Sequence, residues 1–184
     1  MQLSDELTLK GTYRFTKAKL EKPEHYALAD RIARARDRGD DISGLVRLLH
    51  SICRTEVLVI DNLIPTTGRA AIANNLTAVS PSPASLLVNY VALGSNATTP
   101  ANADTTLGTE TYRNAIASRT NSSNIAYLTG FFSATETSGT YREVGLFING
   151  TGSADSGTLF SHAAVNITKS TSETLTVDWT VTIS

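Results

Sequence analysis

The stretch 174–183 constrains the fold most strongly, because apolar and polar residues alternate along it without a break. The apolar residues are Leu175, Val177, Trp179, Val181 and Ile183, and the polar residues are Thr174, Thr176, Asp178, Thr180 and Thr182. A period of two is typical of a β-strand, since successive side chains point to opposite faces of a sheet. We therefore predict a strand with one buried face, which holds Trp179, and one face that is wet or lies at an interface.

The distribution of charge supports a β-rich chain. Residues 70–184 hold only four Lys and Arg and seven Asp and Glu, but they hold 35 Ser and Thr. Such a composition is typical of many short strands joined by polar turns. The net charge of −1 gives no global field that favours nucleic acid or a membrane, and we predict neither as a partner.

Two further features of the composition limit the possible classes of protein. The single cysteine, Cys53, excludes an internal disulfide and a zinc site of several cysteines; we expect it to be a buried core residue. No run approaches the roughly 18 apolar residues of a membrane span. The start of the chain, MQLSDELTLKG, has no apolar run and does not resemble a secretory signal.

The fold class predicted is mainly β: an antiparallel β-sandwich of about eight strands with a helical hairpin insertion and one short extra helix. The strands are expected at 7–20, with a bulge or bend at Gly11, and at 54–64, 86–93, from 111, 125–132, 144–148, 158–167 and 174–183. The short helix is expected at 69–76. The sandwich domain comprises residues 1–21 and 54–184.

Residues 22–53 form the predicted insertion, which leaves from the tip of a hairpin made by the strands at 7–20 and 54–64. Apolar residues recur at helical spacing along it: Leu28, Ile32, Leu45, Val46 and Leu49. Because this face is too apolar to stay wet, we expect it to pack on the sandwich edge or, preferably, on a neighbouring subunit.

A strand, a long polar loop and a return strand occupy residues 88–113, and a related segment, YREVGLF, follows at 141–147. Together they contain the pattern Y-x-A-L-G, T-x-P-A, D-T-x-L-G-x-E and E-x-G-L-F. The residues are Tyr90, Ala92, Leu93, Gly94, Thr99, Pro100, Ala101, Asp104, Thr105, Leu107, Gly108, Glu110, Glu143, Gly145, Leu146 and Phe147. This order of motifs, with NLI-x-x-x-G at 62–68, resembles a structural β-sandwich domain of tailed-bacteriophage virion proteins, over residues 54–184.

The resemblance implies a non-enzymatic structural protein of a tailed-phage virion, assembled in the host cytoplasm. It favours a tail-associated part (fibre, baseplate or connector) that binds other virion proteins and forms a homo-oligomer, with a trimer favoured. It implies no catalytic, cofactor-binding or metal-binding residues and no cofactor. In the apparent relatives a short turn replaces residues 22–53, so we expect the β-domain to fold without the insertion and to need it for entry into virions.

Three alternatives stay open: a receptor-binding or glycan-binding module at a fibre tip; a capsid decoration, neck or head-fibre protein; and a depolymerase. The residues offer little for the third. His25, His50 and His162 are far apart in the sequence and fit surface or structural roles. The carboxylate pairs Glu136 with Glu143 and Asp155 with Asp178 have the residue types of a glycosidase site, but nothing places either pair in a cleft.

Two charged features have structural interpretations. Arg31, Arg34 and Arg38 follow one another at helical spacing and are interpreted as a solvated helix face rather than a phosphate-binding stripe. Glu143 precedes a strand with buried character. We expect it to accept hydrogen bonds from loop backbone or to pair with Arg142 or Arg113.

Overall fold

The computed structural model describes residues 8–77 and 82–184 and confirms a mainly β fold of two antiparallel sheets. The elements are β1 (Leu9–Lys19), α1 (Pro23–Asp37), α2 (Ser43–Ile52), β2 (Arg54–Asp61), α3 (Thr66–Thr77), β3 (Val88–Gly94), β4 (Glu110–Ala115), β5 (Ser118–Ser122), β6 (Ile125–Phe132), β7 (Gly139–Ile148), β8 (Thr158–Lys169) and β9 (Glu173–Ile183). The strand that the sequence did not predict is β5, whose residues SRTNS carry no apolar alternation.

The first sheet has five strands in the order β2-β1-β9-β6-β5. The predicted pairing of the first two strands is confirmed, since Lys19 lies opposite Arg54 and the two helices leave from that end of the hairpin. The register of β1 is continuous against both neighbours, so the expected bulge at Gly11 is wrong. Glycine is needed there for space, because a side chain would overlap Asn62 and Trp179.

The second sheet has four strands in the order β4-β3-β7-β8. Its β8 edge is covered by α3 and by a backbone bridge in which Leu63 and His162 exchange two hydrogen bonds of 2.9 Å. Helix α3 begins at Thr66, directly after Pro65, and so starts earlier than the sequence predicted. Proline just before or within a first turn fits a helix start, because the missing N–H needs no partner there.

The main core lies between the two sheets. It contains the inward-facing residues of both, and Trp179 at 2% exposure confirms the burial predicted from the alternation of β9. The indole meets the ring of Phe160 edge to face at 5.8 Å, and its Nε1–H donates to Asn62 at 3.4 Å. The ring therefore joins the two sheets by dispersion and also has a polar partner for its N–H.

A second cluster lies on the outer face of the five-stranded sheet, where α1 and α2 pack. Ile32, Leu49 and the β6 residue Phe131 are fully buried there, and Leu28 and Leu45 pack at its margin. The expectation that a neighbouring subunit covers this apolar face is therefore wrong, because the chain's own sheet covers it. Removal of residues 22–53 would leave Phe131 exposed to water.

We predict that Trp179→Ala lowers the free energy of unfolding by about 3–5 kcal/mol, since it removes a large ring from a packed core. Tyr127→Ala is the matched control, because Tyr127 lies on the same sheet and is 36% exposed. Denaturant unfolding measures both variants. Wild-type tryptophan fluorescence that peaks at the wavelength of hydrated indole would contradict the burial.

Candidate functional site

The outer face of the four-stranded sheet carries Glu143 and Phe147 of the E-x-G-L-F motif. Along β7, Val144, Leu146 and Ile148 belong to the main core, while Phe147 belongs to a small outer cluster with Leu107 of the polar loop. Loop 95–109 thus folds back over this face of the sheet. The long polar loop that the sequence identified therefore covers the outer face of the four-stranded sheet.

Glu143 holds this loop in place. Its carboxylate is 1% exposed and accepts three backbone hydrogen bonds: from Asn96 at 3.2 Å, Gly108 at 2.8 Å and Thr109 at 2.8 Å. Charged acceptors form the stronger hydrogen bonds in proteins. The expected role of Glu143 as an acceptor of loop N–H groups is therefore confirmed, and its expected pairing with Arg142 or Arg113 is not what the structure shows.

Gly94 is required next to this carboxylate. The φ of Gly94 is not in the positive region that favours glycine, so the backbone conformation does not explain the residue. A methyl group at this position would instead overlap the Glu143 side chain. The glycine of the Y-x-A-L-G motif therefore makes room for the glutamate of the E-x-G-L-F motif, which lies opposite it across the β3–β7 pairing.

His162 and Asp104 complete what we call the Glu143 cluster: Glu143, His162, Asp104 and the three loop N–H groups. His162 is 4% exposed; its Nε2 lies 3.2 Å from Glu143 Oε2 and its Nδ1 lies 2.9 Å from Asp104 Oδ2. Asp104 also accepts the Ala101 N–H at 2.7 Å. Each ring nitrogen of His162 therefore lies within hydrogen-bonding distance of a carboxylate from a different part of the chain.

This arrangement is suited to fixing a loop rather than to proton transfer. Both nitrogens of His162 are engaged by carboxylates, and the neighbouring Ser161 hydroxyl faces the core, where Tyr13 donates to it at 3.0 Å. Within residues 8–77 and 82–184, no three His, Cys, Asp or Glu side chains are placed to hold a metal ion. The sequence showed all three members of the cluster but not their convergence, because they are far apart in the chain.

A second buried charge cluster joins the helical hairpin to the sheet. Arg36 of α1 forms an ion pair with Glu136, donating to its Oε2 at 3.0 Å, and it also donates to the Phe131 carbonyl at 2.8 Å. Although burial acts to raise it, hydrogen bonding and charge from Arg36 hold the pKa of Glu136 below its usual value. The sequence missed Arg36, which is buried although it stands between the exposed Arg34 and Arg38 in the sequence.

Arg113 organises a third region, the loop at 149–157. It pairs with Glu110, with its Nη2 2.6 Å from Oε2, and its Nη1 donates to the carbonyls of Thr151 and Ser156 at 3.0 Å. The guanidinium stacks over the Phe147 ring at 4.5 Å. Arg113 therefore packs against Phe147 on the same outer face of the sheet that the polar loop covers.

His25 and His50 lie apart from these clusters. His25 accepts the Glu21 N–H at 3.3 Å near the start of α1, and His50 lies 3.1 Å from the Thr176 hydroxyl. Burial lowers the pKa of His50. Neither carboxylate pair forms a shared cleft, since Glu136 binds Arg36 and Glu143 binds the loop, while Asp178 accepts from Thr129 at 2.7 Å.

Cys53 is half-buried, so the prediction of a fully buried core cysteine is wrong. It follows the last turn of α2 and leads directly into β2, which lies at the edge of its sheet. Cys53 therefore packs at the margin of the apolar cluster beneath α1 and α2 and is partly exposed to solvent.

Lys169 is a buried cation at the end of β8. Its side chain is 1% exposed, and its Nζ donates to the Thr137 carbonyl at 2.6 Å. Burial lowers the pKa of Lys169 to about 8, and the nearby carboxylates of Glu136 and Glu173 oppose that effect only in part. A lysine held by carbonyl oxygens satisfies its hydrogen bonds without neutralising its charge.

Comparisons of the chain with protein-family models, with curated proteins and with solved structures found no match. The three helices, all within the described residues, lack the length and apolar run that a bilayer-spanning segment requires. The contacts of Glu143, Arg36 and Arg113 define the protein as a β-sandwich in which buried polar clusters hold the loops in place.

We predict that Glu143→Gln lowers the free energy of unfolding by about 1.5–3 kcal/mol. The glutamine amide has one acceptor oxygen, so it cannot accept on both sides of the former carboxylate, and at least one of the three buried N–H groups loses its acceptor. Glu56→Gln is the control, since the Glu56 side chain is 63% exposed. Faster amide hydrogen exchange at Gly108 and Thr109 in Glu143→Gln alone would locate the effect in the loop. Equal exchange in both variants would contradict it.

We also predict a pH dependence that arises from Lys169. In the unfolded chain Lys169 keeps its proton up to about pH 10.5, whereas in the folded chain it loses it near pH 8, so the unfolded state binds more protons between these values. The free energy of unfolding of wild type relative to Lys169→Met should therefore rise with pH across that interval, by about 1–3 kcal/mol. Taking the difference between the two proteins removes the contributions of the ionisable groups that they share. A constant difference would contradict the prediction.

Proposed function

We propose that the chain is a non-enzymatic structural component of a tailed-bacteriophage virion, located in the tail as part of a fibre, baseplate or connector. The observation that carries the proposal is the Glu143 cluster. Residues of the motif pattern that resembles the phage domain, Gly94, Asp104, Gly108 and Glu143, meet in this cluster through direct contacts. The residues that the chain shares with that pattern thus hold loop 95–109 rigidly on the face of the sheet.

The chemistry of these clusters supports a structural role over a catalytic one. The three most buried carboxylates of the clusters are Glu143, Glu136 and Glu110, and each is bound by backbone N–H groups or by an arginine of the same chain. A catalytic acid or base needs a free face toward a substrate. The buried acids of the clusters have their oxygens occupied by the protein itself.

We further propose that the protein works as a homo-oligomer that binds other virion proteins, with three copies favoured by analogy with fibre-like parts. The surface supports association, because large apolar side chains are exposed on the hairpin and on β2: Tyr26, Leu48, Ile52, Val57, Leu58 and Val59. Exposed apolar side chains of this number favour contact with a protein partner.

A second candidate function, a receptor-binding or glycan-binding module, is favoured by one feature. A pocket of about 280 Å³ lies on the solvent side of the Glu143 cluster and is lined by hydroxyl and amide groups, among them Asn96, Thr98, Thr99 and Thr106. Such groups can hydrogen-bond a sugar, and a glycan array discriminates this function from a purely structural one.

We predict that an antibody against the protein labels the tail of intact particles of the phage that encodes it. Antibody binding is observed by electron microscopy, and isolated tails and isolated capsids provide the matched comparison. Label on the tail fraction supports the proposal. Label on capsids or necks alone would favour a decoration or head-fibre protein, and absence from purified particles would contradict a virion role altogether.

A further inference from the structure

Strand β2 is an unprotected edge of the five-stranded sheet. It pairs with β1 on one side, and no strand of the described residues lies on the other. Three consecutive apolar side chains on it are exposed: Val57 at 47%, Leu58 at 37% and Val59 at 54%. The unpaired N–H and C=O groups of an exposed apolar edge strand can bond to a strand of another chain, and soluble proteins normally protect such edges.

The usual protections are missing from β2. It contains no proline, its register with β1 has no bulge, and its one central charge, Glu56, pairs with Lys17 at 3.0 Å. The opposite edge of the same sheet, β5, is short and polar, and the β8 edge of the other sheet is covered by α3. β2 is therefore the edge of the five-stranded sheet at which strand addition is favoured.

The pattern of backbone hydrogen bonds shows which groups of β2 point outward. Asn62 N–H donates to the Gly11 carbonyl at 3.2 Å, and in an antiparallel pair the hydrogen-bonded positions recur every second residue. The even-numbered residues of β2 therefore bond to β1. Thr55, Val57, Val59 and Asp61 direct their N–H and C=O groups away from the sheet.

We propose that β2 pairs antiparallel with β2 of a second copy of this chain, about a two-fold axis at Leu58. In this register Thr55 lies opposite Asp61 of the second copy, and Val57 lies opposite Val59. It is the one register in which every outward-facing residue of the strand meets another outward-facing residue. Each of these pairs can exchange two backbone hydrogen bonds, which joins two five-stranded sheets into one of ten strands.

Charge and apolar contact both favour a second copy in this orientation. The strand begins with Arg54 and ends with Asp61, so antiparallel pairing brings the cationic end of each strand beside the acidic end of its partner, whereas parallel pairing would bring like charges together. On the outer face Val57 and Val59 meet their counterparts, and α2, which contacts β2, adds the exposed Leu48 and Ile52.

The contact is isologous and so joins copies in pairs. It deepens the homo-oligomer of the proposed function: on its own it gives two copies, and combined with a three-fold contact elsewhere it gives six. The strand pairing depends on the proposed function only in one respect, namely that the paired copies belong to a virion. Labelling of particles tests the virion role, while the mass of the purified protein tests the strand pairing, so failure of one is distinguishable from failure of the other.

The first test is Val57→Pro in the full chain, with sedimentation equilibrium over a series of protein concentrations. Proline removes an outward N–H but none that bonds to β1, so the fold should survive, as unchanged circular dichroism will show. Val57→Thr keeps the N–H and is the matched control. If Val57→Pro does not fold, Val57→Lys places a charge on the same contact instead.

We expect the mass of the assembly to fall by half in Val57→Pro or Val57→Lys and to stay at the wild-type value in Val57→Thr. Two results would overturn the proposal: a wild-type protein that is monomeric at every concentration, or a folded variant whose mass equals that of wild type. If the wild type binds another virion protein through β2 without self-pairing, it sediments as a monomer when purified, which is the first of these results.

The second test fixes the register by disulfide cross-linking in a Cys53→Ser background. Directly opposed residues that do not share hydrogen bonds have Cα atoms about 4.5 Å apart, which a disulfide can bridge. Leu58→Cys should therefore give a covalent dimer on oxidation. Glu56→Cys and Ile60→Cys should cross-link only when the two proteins are mixed, since these positions oppose each other. Equal cross-linking at all three positions, or none at Leu58→Cys, would overturn the register.

Discussion

The carboxylate of Glu143 is the interaction on which the outer half of the sandwich depends. A loop of 15 residues at 95–109 contains few apolar side chains, so it cannot be held over a sheet by burial alone. Three of its N–H groups converge on one buried carboxylate instead. Leu107 then packs on Phe147 beneath the loop, and the polar and apolar contacts reinforce each other.

The same solution recurs at the other charged sites. Arg36 draws Glu136 and the Phe131 carbonyl to the hairpin, and Arg113 draws Glu110 and two carbonyls to the loop at 149–157. Each of these buried ion pairs holds a turn or loop in place: the turn that carries Glu136 and the loop at 149–157. This pattern is consistent with the proposed role of a rigid building block, in which loops keep their shape without a bound ligand.

Much of the architecture could be predicted because it follows from local patterns. The alternation at 174–183 gave β9 and the burial of Trp179, and the helical spacing gave α1 and α2. The role of Glu143 was anticipated from a carboxylate beside a buried strand.

The main failures concern relations between distant residues. No local pattern distinguishes Arg36, which is buried, from Arg34 and Arg38, which are exposed, because the difference is made by Glu136, 100 residues away. In the same way, the apolar face of the hairpin could be recognised, but its cover by Phe131 could not. Strand β5 was missed because a polar edge strand is held by backbone pairing to β6 rather than by side-chain alternation.

The central position of β1 has a consequence for biosynthesis. β1 is made first among the strands of its sheet, yet one of its two neighbours is β9, which pairs with it from Leu9 opposite Ile183 to Lys19 opposite Glu173. Until residues 173–183 leave the ribosome, β1 can pair only with β2. During that time the core residues Tyr13 and Phe15 stay exposed to water. Contacts between residues so distant in the sequence form slowly, and strands that are exposed before they pair are prone to aggregation. The early folding of α1 and α2 against one side of this hairpin would shield part of the nascent chain during that delay.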